Sequence, residues 1–216
     1  MFNMTECRRA GCTHSHLKGP RDHGYCCNAC RCYGGQHTPN CTGFDNAQIG
    51  FRIPEHWKRS DDIMSHINWY MRRFDIWMDD NTKAAWLQLQ NWACFAVNRD
   101  RELRIHVRPQ NDTGPHRLID VTTYHLDGYD GTKKSGIHFE IQAKLLSQQD
   151  CARAMFQALT GIECGGLADF TFVCRHATHR SVGMACLVAT LFYHRAKIVF
   201  YTRRTNADAK AYMIKT

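Results

Sequence analysis

From Ile63 the apolar residues recur at spacings of three and four, through Ile67, Tyr70, Met71, Phe74 and Trp77. That period predicts an amphipathic helix. Ser60-Asp61-Asp62 just ahead supplies an N-cap and first-turn acids. Asp79-Asp80-Asn81 breaks the pattern and opens a second helix through Ala84, Leu87, Trp92, Phe95 and Ala96, so the two form a helical hairpin. The period then changes. Leu103 to Arg108 alternates apolar and polar, as a half-buried strand does, and Leu118 to Thr123 reads as another strand after Gly114-Pro115. Helices are predicted over 137–147 (Ile137, Ile141, Leu145) and 150–162 (Ala152, Met155, Phe156, Leu159), with Gly165-Gly166 ending the run. A strand over 169–174, a polar loop, an apolar helix and a strand over 197–202 follow. The tail from Thr205 reads as one short helix or a mobile end.

Strands alternating with helices place the chain in the α/β class. The expected architecture is a small mixed sheet with flanking helices, preceded by the helical hairpin and a zinc-bound N-terminal segment. The divisions fall at 1–43, a Cys/His-rich segment; 44–100, a linker-like run with Gly50 and Pro54 followed by the hairpin; and 101–216, the α/β domain. The loop from His125 to Gly136 is too glycine-rich and polar for regular structure, and long enough to be functional. Trp57, Trp69, Trp77, Trp86 and Trp92 sit at positions expected for core or interface rather than base stacking.

Composition sharpens this picture. The 216 residues are 44% hydrophobic, enough for a packed core. The net charge of +8 points to a phosphate-bearing partner, and the basic residues form no single run that would read as a polycationic tail. Seven of the 12 cysteines fall within the first 41 residues, interleaved with histidines. That clustering suggests Zn²⁺ in a reducing compartment rather than a disulfide scaffold. The best-spaced set, Cys27, Cys30, His37 and Cys41, resembles a zinc knuckle with a lengthened middle spacing. Cys7, Cys12, His14, His16, His23 and Cys26 could replace some of these or build a second site. MFNMTECRR has no apolar run of the signal-peptide kind and no stretch is long enough to span a membrane, so a soluble intracellular protein of cytoplasm or nucleus is expected. There is no internal repeat.

The chemistry concentrates between the strand ending at Cys174 and the next helix: Cys174-Arg175-His176-Ala177-Thr178-His179-Arg180-Ser181. In a β-α-β unit this turn is a habitual anion site, because amides and the positive helix end point outward there. Ser181 is expected to N-cap the helix, with Arg180 in its first turn able to fork an anion. If the flanking strands are parallel, Arg203 and Arg204 emerge on the same sheet edge as Arg175 and Arg180. Cys174-x5-Arg180-Ser181 also matches the phosphate loop of cysteine-dependent phosphatases. There a thiolate attacks phosphorus, and an upstream acid (Asp127 or Asp130 here) would protonate the leaving group. Val173 stands where that family has His, and Ala177 where it has Gly. A strand-end cysteine is otherwise a small buried apolar residue, and Cys186 reads as core.

The run Cys-x4-His-Arg-Ser-Val, the apolar helix with Leu187 and Phe192, then Lys197, Val199 and Arg203-Arg204 resembles the C-terminal domain of RapZ-like RNase adapter proteins over about residues 101–204. The resemblance implies an α/β domain that binds an aminosugar phosphate and takes part in RNA-related regulation. The family's Gly-Gly falls within Arg175-His176-Ala177-Thr178 here, while His179 holds the family's His position. The family's Gly-Lys-Ser/Thr nucleotide loop is not present, so nucleotide hydrolysis is not expected. The expected function is a non-catalytic, phosphate-binding and RNA-binding protein, as a subunit of a ribonucleoprotein or other assembly. Its ligand would be held by Cys174, Arg175, His176, Thr178, His179, Arg180, Ser181, Arg203 and Arg204. The alternatives are a phosphatase using Cys174, Arg180 and Asp127, and a structural subunit with a degenerate site.

Overall fold

The computed structural model describes residues 4–6, 14–17, 44–54, 57, 62–110, 117–120 and 134–214, with side chains described from Gly50 onward except at 117, 120, 203, 204 and 212–214. Seven strands are β1 (Met4–Glu6), β2 (His14–Leu17), β3 (Phe44–Arg52), β4 (Arg104–Pro109), β5 (Arg117–Asp120), β6 (Asp169–Cys174) and β7 (Lys197–Thr202). Six helices are α1 (Ile63–Phe74), α2 (Asp80–Ala96), α3 (Phe139–Leu146), α4 (Gln149–Glu163), α5 (Arg180–Leu191) and α6 (Arg203–Ile214). The fold is α/β with a mixed sheet, as the alternating pattern predicts.

The helical hairpin forms where the 3–4 spacing places it. Asp62, not Ser60, caps α1, accepting a hydrogen bond from the Met64 amide at 3.1 Å. Asp75 ends the helix in the left-handed conformation. Trp77 therefore lies beyond α1 and is 77% exposed instead of entering the core. Asp79 caps α2 through the Thr82 amide at 2.7 Å. Among the described residues, two long-range hydrogen bonds join the hairpin to the α/β domain: Trp86 Nε1 donates to the Leu146 carbonyl at 2.8 Å, and the Tyr70 hydroxyl donates to Gln142 Oε1 at 2.6 Å. Each gives a buried polar atom its partner, which burial otherwise makes costly.

The sheet order is β1-β2-β3-β7-β4-β6-β5. β7, β4, β6 and β5 are mutually parallel, while β3 joins β7 antiparallel, and β2 and β1 extend that edge. The 44–57 run expected as a linker is thus partly a nine-residue strand. Asp45, Asn46 and Gly50 are poor strand formers, but pairing with β7 supplies the ladder that propensity alone would not. The tail is helical over Arg203–Ile214 rather than mobile.

The parallel strands have one apolar face, with Ile105, Val107, Phe170, Phe172, Ile198 and Phe200 all buried. α5 packs against β4, β6 and β7. Every residue from Ser181 to Leu191 is buried, as expected of a helix apolar all round. The opposite face is also covered. There His106 is only 5% exposed, so β4 is not the half-buried strand its alternation suggests. His106 Nδ1 lies 2.8 Å from the Tyr201 hydroxyl and Nε2 lies 3.1 Å from Asp169 Oδ1. The Arg108 guanidinium stacks 3.6 Å from the Tyr201 ring centroid. Among the described residues no helix is long and apolar enough to cross a membrane.

Candidate anion-binding site

β6 ends at Cys174 and α5 begins at Arg180, so five residues turn the chain from strand to helix. Ala177 in the middle of this bend has φ +46°. A residue with a Cβ takes the left-handed conformation at a cost of about 1–2 kcal/mol, so its surroundings must hold it there. The Ala177 amide donates to the Cys174 carbonyl at 3.3 Å. The Ala177 carbonyl accepts from the hydroxyls of Thr205 at 3.0 Å and Thr202 at 3.4 Å, both where β7 passes into α6. The next carbonyl, of Thr178, accepts from the Gly136 amide at 2.8 Å. Gly136 approaches so closely that a Cβ there would overlap the Gly183 amide nitrogen and the His179 carbonyl oxygen. Three chain positions remote in sequence therefore fix this one bend.

The expected cap is not formed by Ser181. His179 occupies the N-cap position without a side-chain capping bond, and Ser181 lies one residue inside the helix, fully buried. Its hydroxyl is instead 3.1 Å from Cys174 Sγ. The backbone shows what the bend offers. Among the described residues, the amides of Arg175, His176, Thr178, Ser181 and Val182 find no hydrogen-bond acceptor. Successive amides in a bend that includes a left-handed residue, leading into a helix N-terminus, form a concavity suited to an anion.

The side chains add positive charge. Arg175 and His176 are exposed, His179 and Arg180 half-buried, and Cys174 and Thr178 buried. The Thr178 hydroxyl donates to the His176 carbonyl at 2.9 Å, so it shapes the loop. Partial burial, and then the charges of Arg175 and Arg180, lower the pKa of His176 from its ordinary value. A bound anion would reverse the electrostatic part of that shift. Burial pushes the thiols of Cys151 and Cys186 far up, which leaves them as inert core groups.

Arg203 and Arg204 open α6 on the same sheet edge as the bend, directly after Thr202. Asp120, at the end of β5, pairs in register with Val173. Asp127 and Asp130 lie outside the described residues. So do Cys7, Cys12, His23, Cys26, Cys27, Cys30, His37 and Cys41, while His14 and His16 belong to β2. Among the described residues no group of three metal-ligating side chains occurs. Sequence reading missed Gly136, Thr202 and Thr205. Only the glycine, at the end of the polar loop, carried a local hint. The chain matches no protein-family model, no curated protein and no solved structure.

Proposed function

We propose that the bend from Cys174 to Ser181 holds a phosphate group, and that the protein is a non-catalytic phosphate-ligand and RNA-binding protein. The observation that carries this reading is the set of amides without acceptors around the left-handed Ala177, flanked by Arg175 and Arg180. Amides without acceptors and a guanidinium fork suit the three terminal oxygens of a phosphomonoester. The resemblance to RapZ-like C-terminal domains supports the same ligand chemistry. The net charge of +8 supports RNA as the partner that carries the phosphate. Zn²⁺ on Cys27, Cys30, His37 and Cys41, with Cys7 and Cys12 available, belongs to this reading as an RNA-binding knuckle, and protein subunits of a larger assembly are its further partners.

A second reading is favoured by one distance. The Ser181 hydroxyl lies 3.1 Å from Cys174 Sγ, and cysteine-dependent phosphatases use a hydroxyl near the sulfur to assist its departure. Titration of the purified protein with inorganic phosphate, followed by backbone amide shifts, separates the two. The binding reading expects shifts at 175–182 that Arg180→Ala removes and Cys174→Ser leaves. It also expects no turnover of p-nitrophenyl phosphate. Turnover that Cys174→Ser abolishes would replace it with the phosphatase. The absence of both responses would leave a structural subunit. Zinc content is read separately, as one or two equivalents lost on chelation.

A further inference from the structure

The other edge of the sheet carries a second concentration of charge. The register pairs Arg52 of β3 with Lys197 of β7, and Lys197 with Arg104 of β4. Three cations thus stand side by side on neighbouring strands, which run roughly 4.8 Å apart. Like charges directly opposite one another destabilise a sheet. Arg195, two residues before Lys197, adds a fourth cation and ties the group together, its carbonyl accepting from Arg52 Nη1 at 3.2 Å. These four, with Glu102 and Asp169, line a depression of about 250 Å³.

The acids nearby do not cancel the row. Arg104 Nε is 3.9 Å from the half-buried Asp169 and Arg195 Nε is 3.8 Å from the exposed Asp100, both at the outer limit of an ion pair. Such pairs contribute little. Asp169 is also engaged by His106. Among the described residues no carboxylate lies within ion-pair distance of Lys197 or Arg52. The Lys197 side chain runs from its register position opposite Arg52 over Gly50 of β3, where a Cβ would meet Lys197 Cε. Three of the four cations are arginines, whose planar forks match phosphate oxygens.

We propose that Arg52, Arg104, Arg195 and Lys197 form a second phosphate site at the edge of the sheet opposite the Cys174 bend. β6 spans the sheet between Asp169 and Cys174, a distance of roughly 17 Å at 3.3 Å per residue. One phosphate group cannot serve both places. The volume suits a single phosphate, from a free phosphomonoester or from one linkage of an RNA strand. The proposal does not rest on the reading of the bend, because the two sites share no residue.

The test uses the intact chain, with inorganic phosphate and a short oligouridylate as separate probes and backbone amide shifts as the readout. Either probe should shift residues 52, 104 and 195–197, and Lys197→Gln should weaken that response about tenfold. The response at 175–182 should be unaffected by Lys197→Gln, so failure of one site is distinguishable from failure of the other. Response to both probes assigns the site to phosphate from either source. Response to oligouridylate alone assigns the phosphate to RNA, and the slope of log K against log salt should then fall by about 0.7–0.9 in Lys197→Gln. The Tm of Lys197→Gln should hold or rise, since one of three opposed like charges is gone. No shift at 52, 104 and 195–197 with either probe overturns the proposal. So does a shift that survives undiminished in an Arg52→Gln, Lys197→Gln double variant, or a response to a polyglutamate peptide but to neither phosphate probe.

Discussion

Gly136→Ala tests how the bend is held. The new Cβ would overlap the Gly183 nitrogen and the His179 oxygen, and lie 2.9 Å from Gly183 Cα. All three atoms are backbone at the first turn of α5, so none can swing away as a side chain could. Overpacking of this kind costs about 1–3 kcal/mol. Pushing the segment away also breaks the 2.8 Å hydrogen bond from the Gly136 amide to the Thr178 carbonyl, worth about 1 kcal/mol. The sum is about 2–4 kcal/mol. For a chain of this length each kcal/mol shifts Tm by about 2–4 °C, so the expected fall is roughly 5–15 °C. Circular-dichroism melts with and without phosphate measure it, and the stabilisation by phosphate should shrink along with Tm. Gly166→Ala is the control. It too sits at positive φ, +64°, but its new Cβ would meet nothing within 4 Å, so the cost is conformational, about 1 kcal/mol. A Gly136→Ala melt no lower than that of Gly166→Ala, with the phosphate response intact, would refute the close approach as the anchor of the bend.

Two further outcomes follow from single groups. Tyr70→Phe removes the donor to Gln142 Oε1, whose own amide group donates to the carbonyls of Gly136 and Ile137; urea unfolding should show a loss of about 1–2 kcal/mol at unchanged m. His176 has its pKa lowered in the fold, so the unfolded chain takes up the proton first as pH falls. Its contribution to stability is therefore complete above the ordinary value of 6.5 and is lost as pH drops from there towards the folded pKa. An imidazole NMR titration should show that pKa rising when inorganic phosphate is added, and no rise would count against an anion beside Arg175 and Arg180.

The legible parts of this chain were those whose cause is local. The 3–4 spacing from Ile63 and the acids at 61–62 and 79–80 announce α1 and α2, because period and cap act within a few residues. The bend was also legible in position, since an apolar run ends at Cys174 and another begins near Arg180. What stayed hidden depends on partners remote in sequence. β3 is a strand because β7 lies beside it. His106 is buried because the register brings Tyr201 and Asp169 to its two nitrogens. Ser181 was misread as a cap because a serine near a helix start usually is one; here its hydroxyl turns to Cys174. Ala177 was read as a departure from a glycine pattern, yet the chain bends there as a glycine would. The row Arg52, Lys197, Arg104 draws on three strands and cannot be seen in any one of them.

The two threonine hydroxyls on the Ala177 carbonyl have a kinetic consequence. Thr202 and Thr205 hold the bend through the junction of β7 and α6, with Thr205 fully buried and Thr202 nearly so. A loop fixed in this way loses little further freedom when a ligand arrives, so the entropic toll that weakens mobile binding loops is mostly absent. The on-rate should then be governed by diffusion and by the field of the surrounding arginines, while differences among phosphate ligands are expressed in how long each one stays.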